Sequence, residues 1–318
     1  MNSSNYIKEF KLLEKENLSI KYTTKLKILN TYISKDSFIK ALTTHTINSS
    51  AHKDFPEVYN FYTTFFTLPD ETETFEGFEK ALILNHHRDL QRQYGSFEEA
   101  WIYVREPDDK KIIGGVNFSI YKSKEILASL YSGTAHITYI FVDEKFRGLG
   151  IARYLHELAI IHAQKFVKTP MSLLFFCEQN APELMTIDAY FSDNINALVD
   201  QCDRLVWWHK MGYKRLNINY VQPPLNKGQK VCDNLTLNVK TKRRKIPTSA
   251  IVFHLKHFFD LAVFKADTSR RDAHYFNQIE HLKKSNSINT SGSIAYYKEL
   301  KKRIYRNPEA CIKLRKLF

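Results

Sequence analysis

The sequence predicts an α/β fold, with an antiparallel hairpin and a parallel pair of strands among helices, followed by an α-helical C-terminal extension. Three observations predict it. A hairpin of β-prone segments spans 101–121, a strand–turn–helix–strand unit follows over 135–177, and from Thr248 onward the apolar spacing is helical. At 318 residues the chain exceeds the usual single-domain size, and its 43% hydrophobic content is ample for a packed core.

Residues 1–50 are polar, rich in Lys and Asn, and weakly helical in pattern, with Ser34 placed to cap a helix bearing Phe38 and Leu42. Pro56 opens an aromatic stretch (Val58, Phe61, Phe65, Phe66), and a helical pattern then runs over 75–90 toward Gly95. The hairpin comes next. Residues 101–104 are strand-like, Pro107-Asp108-Asp109-Lys110 is a turn, and 112–121 is a second strand with Gly114-Gly115 as a bulge. Residues 135–142 are apolar and β-branched or aromatic, the mark of a buried strand. Ile151, Leu155, Leu158, Ala159, His162 and Phe166 then form one helical stripe, and 172–177 is another buried strand, expected parallel to the first. A helix over 200–211 stops at Gly212, and strands at 213–221 and 234–239 flank Pro223-Pro224. Helices are expected at 249–264, 271–284 and 293–305. The chain thus divides into an N-terminal polar helical segment (1–50), a central domain (51–239) and a helical extension (240–318).

Charge separates the last part from the rest. Residues 240–318 hold 19 Lys and Arg against 6 Asp and Glu, whereas residues 1–239 hold 28 of each. Clustered positive charge attracts polyanions, although a run such as 240–245 can equally be a solvated face. No recognition-helix or aromatic-basic RNA motif accompanies it, so polyanion contact through 240–318 is the expectation and nucleic acid is not the expected partner. Met1 to Asn5 lack an apolar signal core, and no run approaches the roughly 18 apolar residues of a membrane span. Cys177, Cys202, Cys232 and Cys311 have no paired metal or redox spacing, which suits reduced thiols in a cytoplasmic protein. His156-Glu157 followed by His162 has a His–His spacing of six rather than four, so no metal is expected there.

Only 10 glycines occur in the chain, and two stand in Arg147-Gly148-Leu149-Gly150-Ile151-Ala152, between the buried strand and the striped helix. Small residues let a ligand approach the backbone, and the first amides of the helix point outward at the positive end of its dipole. Such a turn can cradle a pyrophosphate. The G-x-G-x-x-G spacing of a dinucleotide site is absent.

Arg-x-x-Gly-x-Ala after a strand ending in Val142 resembles the acyl-CoA-binding motif of the GCN5-related N-acetyltransferase (GNAT) superfamily. The hairpin with Ile112-Ile113-Gly114-Gly115 and the later Trp207-Trp208-His209-Lys210-Met211-Gly212-Tyr213 extend the resemblance over about 56–239. It implies a GNAT-like mixed, mostly antiparallel sheet with a splayed parallel pair, flanked by helices, and makes 51–239 an acyltransferase domain. The function implied is acetyl transfer from acetyl-CoA, as co-substrate, to a primary amine on a small molecule or protein, by direct attack. The alternative is a catalytically inactive GNAT-fold protein that binds acyl-CoA or displays an interaction surface.

The resemblance also assigns positions. Backbone amides of Arg147, Gly148, Leu149, Gly150, Ile151 and Ala152 would take the pyrophosphate. The backbone of Ile140, Phe141 and Val142 would pair with pantetheine, and Asn180, or Gln179, would contact it from the next strand. A lysine-like amine is only about 1 part in 2,500 neutral at pH 7, so a base must remove its proton. The position that carries a glutamate in histone-type members is His136 here, with Glu178 the second candidate. The tyrosine often proposed to protonate the leaving thiolate aligns with Trp208, leaving that role to His209, Tyr139 or water. Residues 181–200 are an insertion whose Asp188, Asp193 and Asp200 suggest an acidic lid or wall over the acceptor site, and Cys177 is the cysteine expected nearest the cleft.

Overall fold

A helix of 30 residues, α1 (Ser3–Tyr32), leads the chain in a computed structural model that describes residues 3–32, 34–67, 72–108, 110–168, 172–225 and 229–307. Ser34 caps α2 (Lys35–Ala41) by accepting from the Ser37 amide, and Phe38 is buried beneath it. After β1 (Thr43–Ile47) come α3 (Phe55–Thr63), α4 (Phe75–Leu84) and α5 (Arg88–Tyr94). The single helix expected over 75–90 is interrupted because Asn85 turns away to β2 (Phe97–Arg105). Its side-chain amide donates to the Asn48 and Glu99 carbonyls and its oxygen accepts from the Glu99 amide. His87 then caps a new helix.

From β2 the chain forms an antiparallel meander with β3 (Ile112–Leu127) and β4 (Tyr131–Val142). Helix α6 (Ile151–Val167) returns the chain to β5 (Ser172–Asn180), parallel to β4. The insertion at 181–200 contains α7 (Ile187–Ala197), and α8 (Gln201–Lys210) follows with Asp200 as its cap. Then come β6 (Tyr213–Leu216), β7 (Leu235–Lys240), β8 (Lys245–Pro247) and α9 (Thr248–His257), which runs on into a π-helical turn at Phe258–Val263. The chain closes with α10 (Ala273–Lys283), β9 (Ser287–Ser291) and α11 (Ile294–Arg306). Among the described residues the strands form one mixed, mostly antiparallel sheet in the order β1-β2-β3-β4-β5-β7-β6-β9-β8, with β4–β5 its parallel pair. Strands β8 and β9, of three and five residues, are too short to show alternation in a segment otherwise helical in pattern.

The two faces of the sheet are covered by different helices. On one face α6 buries Ile151, Leu155, Ala159 and Ala163 with Ile113, Val116, Phe118 and Ala135. On the other, α9 and its π-helical turn bury Ile251, Leu255 and Phe258 with Tyr121, Phe176, Leu237 and Val239. Each such side chain contributes about 1.5–3 kcal/mol on burial. The bulge falls beside the glycines rather than on them: Val104 faces Gly114 and Arg105 faces Ile112, which leaves Ile113 as the extra residue of β3. The glycines instead allow close approach. A Cβ at Gly115 would meet the Phe141 ring at 2.7 Å, and one at Gly114 would meet Leu155 and the Phe141 carbonyl at 3.1 Å.

Candidate active site

The parallel pair that centres the sheet comes apart halfway. Strands β4 and β5 pair from Tyr131 opposite Ser172 to Ile137 opposite Cys177, with one slip between Tyr131 and Gly133, and no further. Against β3, the register of β4 skips Thr138: Phe118 faces Ile137 while Asn117 faces Tyr139. An extra residue of this kind bends its strand. Beyond it β4 stays with β3, while Glu178, Gln179 and Asn180 stay with β7. A cavity of about 940 Å³ fills the wedge. Ile140, Phe141, Val142, Asn180, Glu178 and all six residues from Arg147 to Ala152 line it. His136 and His209 do not.

The turn at the wide end is built for a ligand. Gly148 and Gly150 have φ of 81° and 96°, a left-handed backbone that costs a side-chain-bearing residue about 1–2 kcal/mol. Gly150 precedes α6 without a side-chain cap, so the amides of Ile151, Ala152 and Arg153 have no intrahelical acceptor. At neither glycine would a Cβ meet an atom within 4 Å, so open space lies over the turn. Outward amides beneath open space form a cradle for phosphate oxygens. The Arg147 side chain serves the wall instead. Its Nε donates to the Val142 carbonyl at 3.1 Å and its Nη1 to the Ala197 carbonyl at 2.7 Å, fastening the end of α7 to the turn. Lys35 Nζ donates to the Gly148 carbonyl at 2.8 Å, bringing α2 over the same turn. Nothing in the sequence pattern pairs Lys35 with a glycine 113 residues away.

At the narrow end stands Glu178, with 12% of its side chain exposed. The Tyr220 hydroxyl donates to Oε1 and Gln222 Nε2 donates to Oε2 at 3.1 Å. Burial outweighs the Tyr220 hydrogen bond and raises the carboxyl pKa from its ordinary 4.5 to about 7. His136, the first candidate from the sequence, lies behind the cavity wall. It is fully buried, its ring stacks on Phe258 at 3.8 Å, and burial pulls its pKa down to about 3. Such an imidazole is neutral at pH 7 but too weakly basic to draw a proton from an amine. Its Nε2 nevertheless stands 3.8 Å from Glu178 Oε2.

The remaining candidates divide by position. Trp208 and Tyr139 line the cavity, whereas His209 packs near Tyr297 on another side of α8. Cys177 is fully buried and its thiol pKa is pushed up by burial; Cys232 is the cysteine on the cavity wall among the described residues. Cys311 lies outside them. The insertion does wall the cavity, through Asp193, Asn196, Ala197 and Val199, but its acids are largely consumed internally. Asp193 pairs with Arg204 and Gln201, and Asp200 accepts from Tyr190 and Tyr305; Asp188 stays exposed in the first turn of α7. His156 meets the Tyr213 hydroxyl at 3.0 Å and His162 meets Glu98 at 2.7 Å, so the two work separately. Among the described residues, no group of three or more His, Cys, Asp or Glu could hold a metal ion, and no helix is long and apolar enough to cross a membrane.

No curated protein sequence matches the chain. Among solved structures, Arabidopsis thaliana Naa50 in complex with a bisubstrate analogue is similar at 12% identity and a TM-score of 0.37, over 63% of this chain and 99% of that one. Ard1 from Thermoplasma volcanium is similar at 20% identity and 0.34, over 63% and 96%. The ribosomal-protein-S18-alanine N-acetyltransferase from Escherichia coli is similar at 12% and 0.37, over 62% and 92%. The family model described as "Acetyltransferase (GNAT) family" matches residues 55–182, from the start of α3 to just past the wedge-lining end of β5. Residues 55–182 are therefore a domain of the acetyltransferase (GNAT) family.

Proposed function

We propose that the protein is an N-acetyltransferase that moves an acetyl group from acetyl-CoA to a primary amine by direct attack, with Glu178 as general base. The observation that carries this reading is a single carboxylate, poised near neutrality, at the narrow end of a wedge whose wide end is a phosphate cradle. Acetyl-CoA supplies the acyl group already activated as a thioester. The amides of the Arg147–Ala152 turn hold its pyrophosphate, the backbone edge of Ile140, Phe141 and Val142 aligns pantetheine, and Asn180 faces it from β5. The open backbone edges of a split parallel pair suit an extended, amide-bearing chain. Glu178 takes the ammonium proton, and the freed amine attacks the thioester carbonyl. As the N–C bond forms and the C–S bond breaks, the nitrogen's second proton passes through water to the departing thiolate, since Trp208 offers no acidic hydroxyl. We assign catalysis to residues 51–239, with 1–50 as a helical cover and 240–318 as a basic extension, in the cytoplasm.

A base with pKa near 7 suits proton abstraction at neutral pH, and general-base catalysis contributes about 10²–10⁴-fold. The test is transfer of labelled acetyl from acetyl-CoA to a panel of peptide N-termini, lysine peptides and polyamines. Glu178→Gln is expected to lose about 10²-fold or more in turnover while binding acetyl-CoA as the wild type does. Tight binding without transfer to any amine would favour the inactive acyl-CoA-binding alternative, which Trp208 in the usual tyrosine position makes worth separating.

A further inference from the structure

Behind Glu178 lies a buried chain of side chains that the proposed reaction does not use. His136 Nδ1 is 3.1 Å from His254 Nε2, and His254 Nδ1 is 3.0 Å from the Thr134 hydroxyl. All three residues are fully buried. The imidazole rings lie 4° from coplanar orientation, with Phe258 stacked on His136 at 3.8 Å and Phe176 on His254 at 3.9 Å. His254 belongs to α9, in the extension; Thr134 and His136 belong to β4. The outer nitrogen of the chain, His136 Nε2, is buried without a hydrogen-bond partner and faces Glu178 Oε2 at 3.8 Å.

We propose, on the reading of Glu178 as the base, that His254 is a positioning residue: by fixing the tautomer of His136 it turns the His136 Nε2–H toward the Glu178 carboxylate and keeps that carboxylate ready to accept a proton. A neutral imidazole carries one N–H, so the chain has two internally consistent arrangements. In the first, the Thr134 hydroxyl donates to His254 Nδ1, and His254 Nε2–H donates to His136 Nδ1. The His136 proton then sits on Nε2, facing Glu178. In the second every donor reverses, and His136 Nε2 presents a lone pair to the carboxylate, which repels it. An ionised Glu178 selects the first. At 3.8 Å the contact is electrostatic rather than a formed hydrogen bond, but in a buried site an N–H dipole aimed at a carboxylate favours the charged form.

The neighbours leave Glu178 as the group that responds near neutrality. Burial keeps the hydroxyls of Tyr121 on β3, Tyr139 on β4 and Tyr220 after β6, and the thiol of Cys177 on β5, protonated well above that range. His254 and His257 on α9 are held neutral, and Asp260 beyond them is paired with Arg271. On β7, Leu237 stands opposite Glu178 and brings no charge.

The test follows the Glu178 carboxyl itself in the full-length protein, by the infrared band that Glu178→Gln removes, titrated against pH. His254→Phe keeps the stacking but not the N–H, and is expected to raise the midpoint by about one pH unit, a tenfold loss of carboxylate below it. His254→Gln, whose amide nitrogen falls near the lost Nε2, is expected to restore it. Thr134→Val preserves shape, removes the donor that orients His254, and is expected to move the midpoint the same way even if His254→Phe fails to fold. The acid limb of kcat/KM should shift with the midpoint while KM for acetyl-CoA stays put, which a packing role would not produce. Wild-type midpoints in folded His254→Phe and Thr134→Val would overturn the proposal. Undiminished acetyl transfer by Glu178→Gln, with the midpoint shift intact, would instead overturn the base assignment and the proposal's link to catalysis.

Discussion

At the scale of the residue, Glu178 sets stability against chemistry. Its folded pKa of about 7 lies above its ordinary 4.5, so between those values the folded state holds a proton that the unfolded chain has lost. Stability therefore falls as pH rises across that window, and above it the cost is fully present, about 3 kcal/mol. Glu178→Gln is expected to be the more stable protein at pH 8 by up to that amount, with the gap closing below about pH 4.5, measured by denaturant unfolding at each pH. An equal gap at pH 4 and pH 8 would show that the carboxyl is not held up by burial. The sequence offers His136 first and Glu178 second as candidate bases, and the structure puts Glu178 on the cavity and His136 behind its wall. His136 and Glu178 are each chemically able to act as bases, and what separates them is which faces the cavity and which is sealed behind it under Phe258. That depends on the π-helical turn after α9, whose Phe258 comes 122 residues after His136.

At the scale of the element, the glycine turn was legible because a strand, two glycines and an amphipathic helix are adjacent in sequence. The wedge beside it was not. It comes from one extra residue, Thr138, in the register of β4 against β3, and a β-branched residue in a β-branched strand leaves no mark. The splay was expected from the family resemblance alone. That residues 181–200 wall the cavity was among the expectations, whereas helix α7 and the internal pairing of its acids were not legible: Asp193 and Asp200 are bonded to Arg204, Gln201, Tyr190 and Tyr305. The turn itself makes a sharp prediction. Gly150→Val introduces a side chain at φ 96° and fills space that contains no protein atom within 4 Å. Strain of about 1–2 kcal/mol, together with lost ligand space, should weaken acetyl-CoA binding by about tenfold or more in calorimetry. Unchanged affinity in a folded Gly150→Val would mean the ligand does not lie over this turn.

At the scale of the whole molecule, the basic extension is part of the core. Ile246, Ile251, Leu255, Phe258 and Phe259 share a buried cluster with Phe97, Tyr121, Phe176, Leu237 and Val239, so one face of the sheet depends on residues after 245. A chain ending at residue 239 should expose that face and aggregate or lack a cooperative thermal transition; a soluble, cooperatively folding 1–239 would show the face to be covered in some other way. The apolar spacing of the extension was legible in the sequence, whereas its two short strands and the destination of His254 were not. The central claim remains the Glu178 carboxylate at the apex of an acyl-CoA wedge, and the pH dependence of kcat/KM for acetyl transfer, in wild type and Glu178→Gln, tests it most directly. The wild type should rise through a limb near pH 7, and Glu178→Gln should be slower by about 10²-fold with that limb gone. Equal rates and the same limb in both proteins would contradict it.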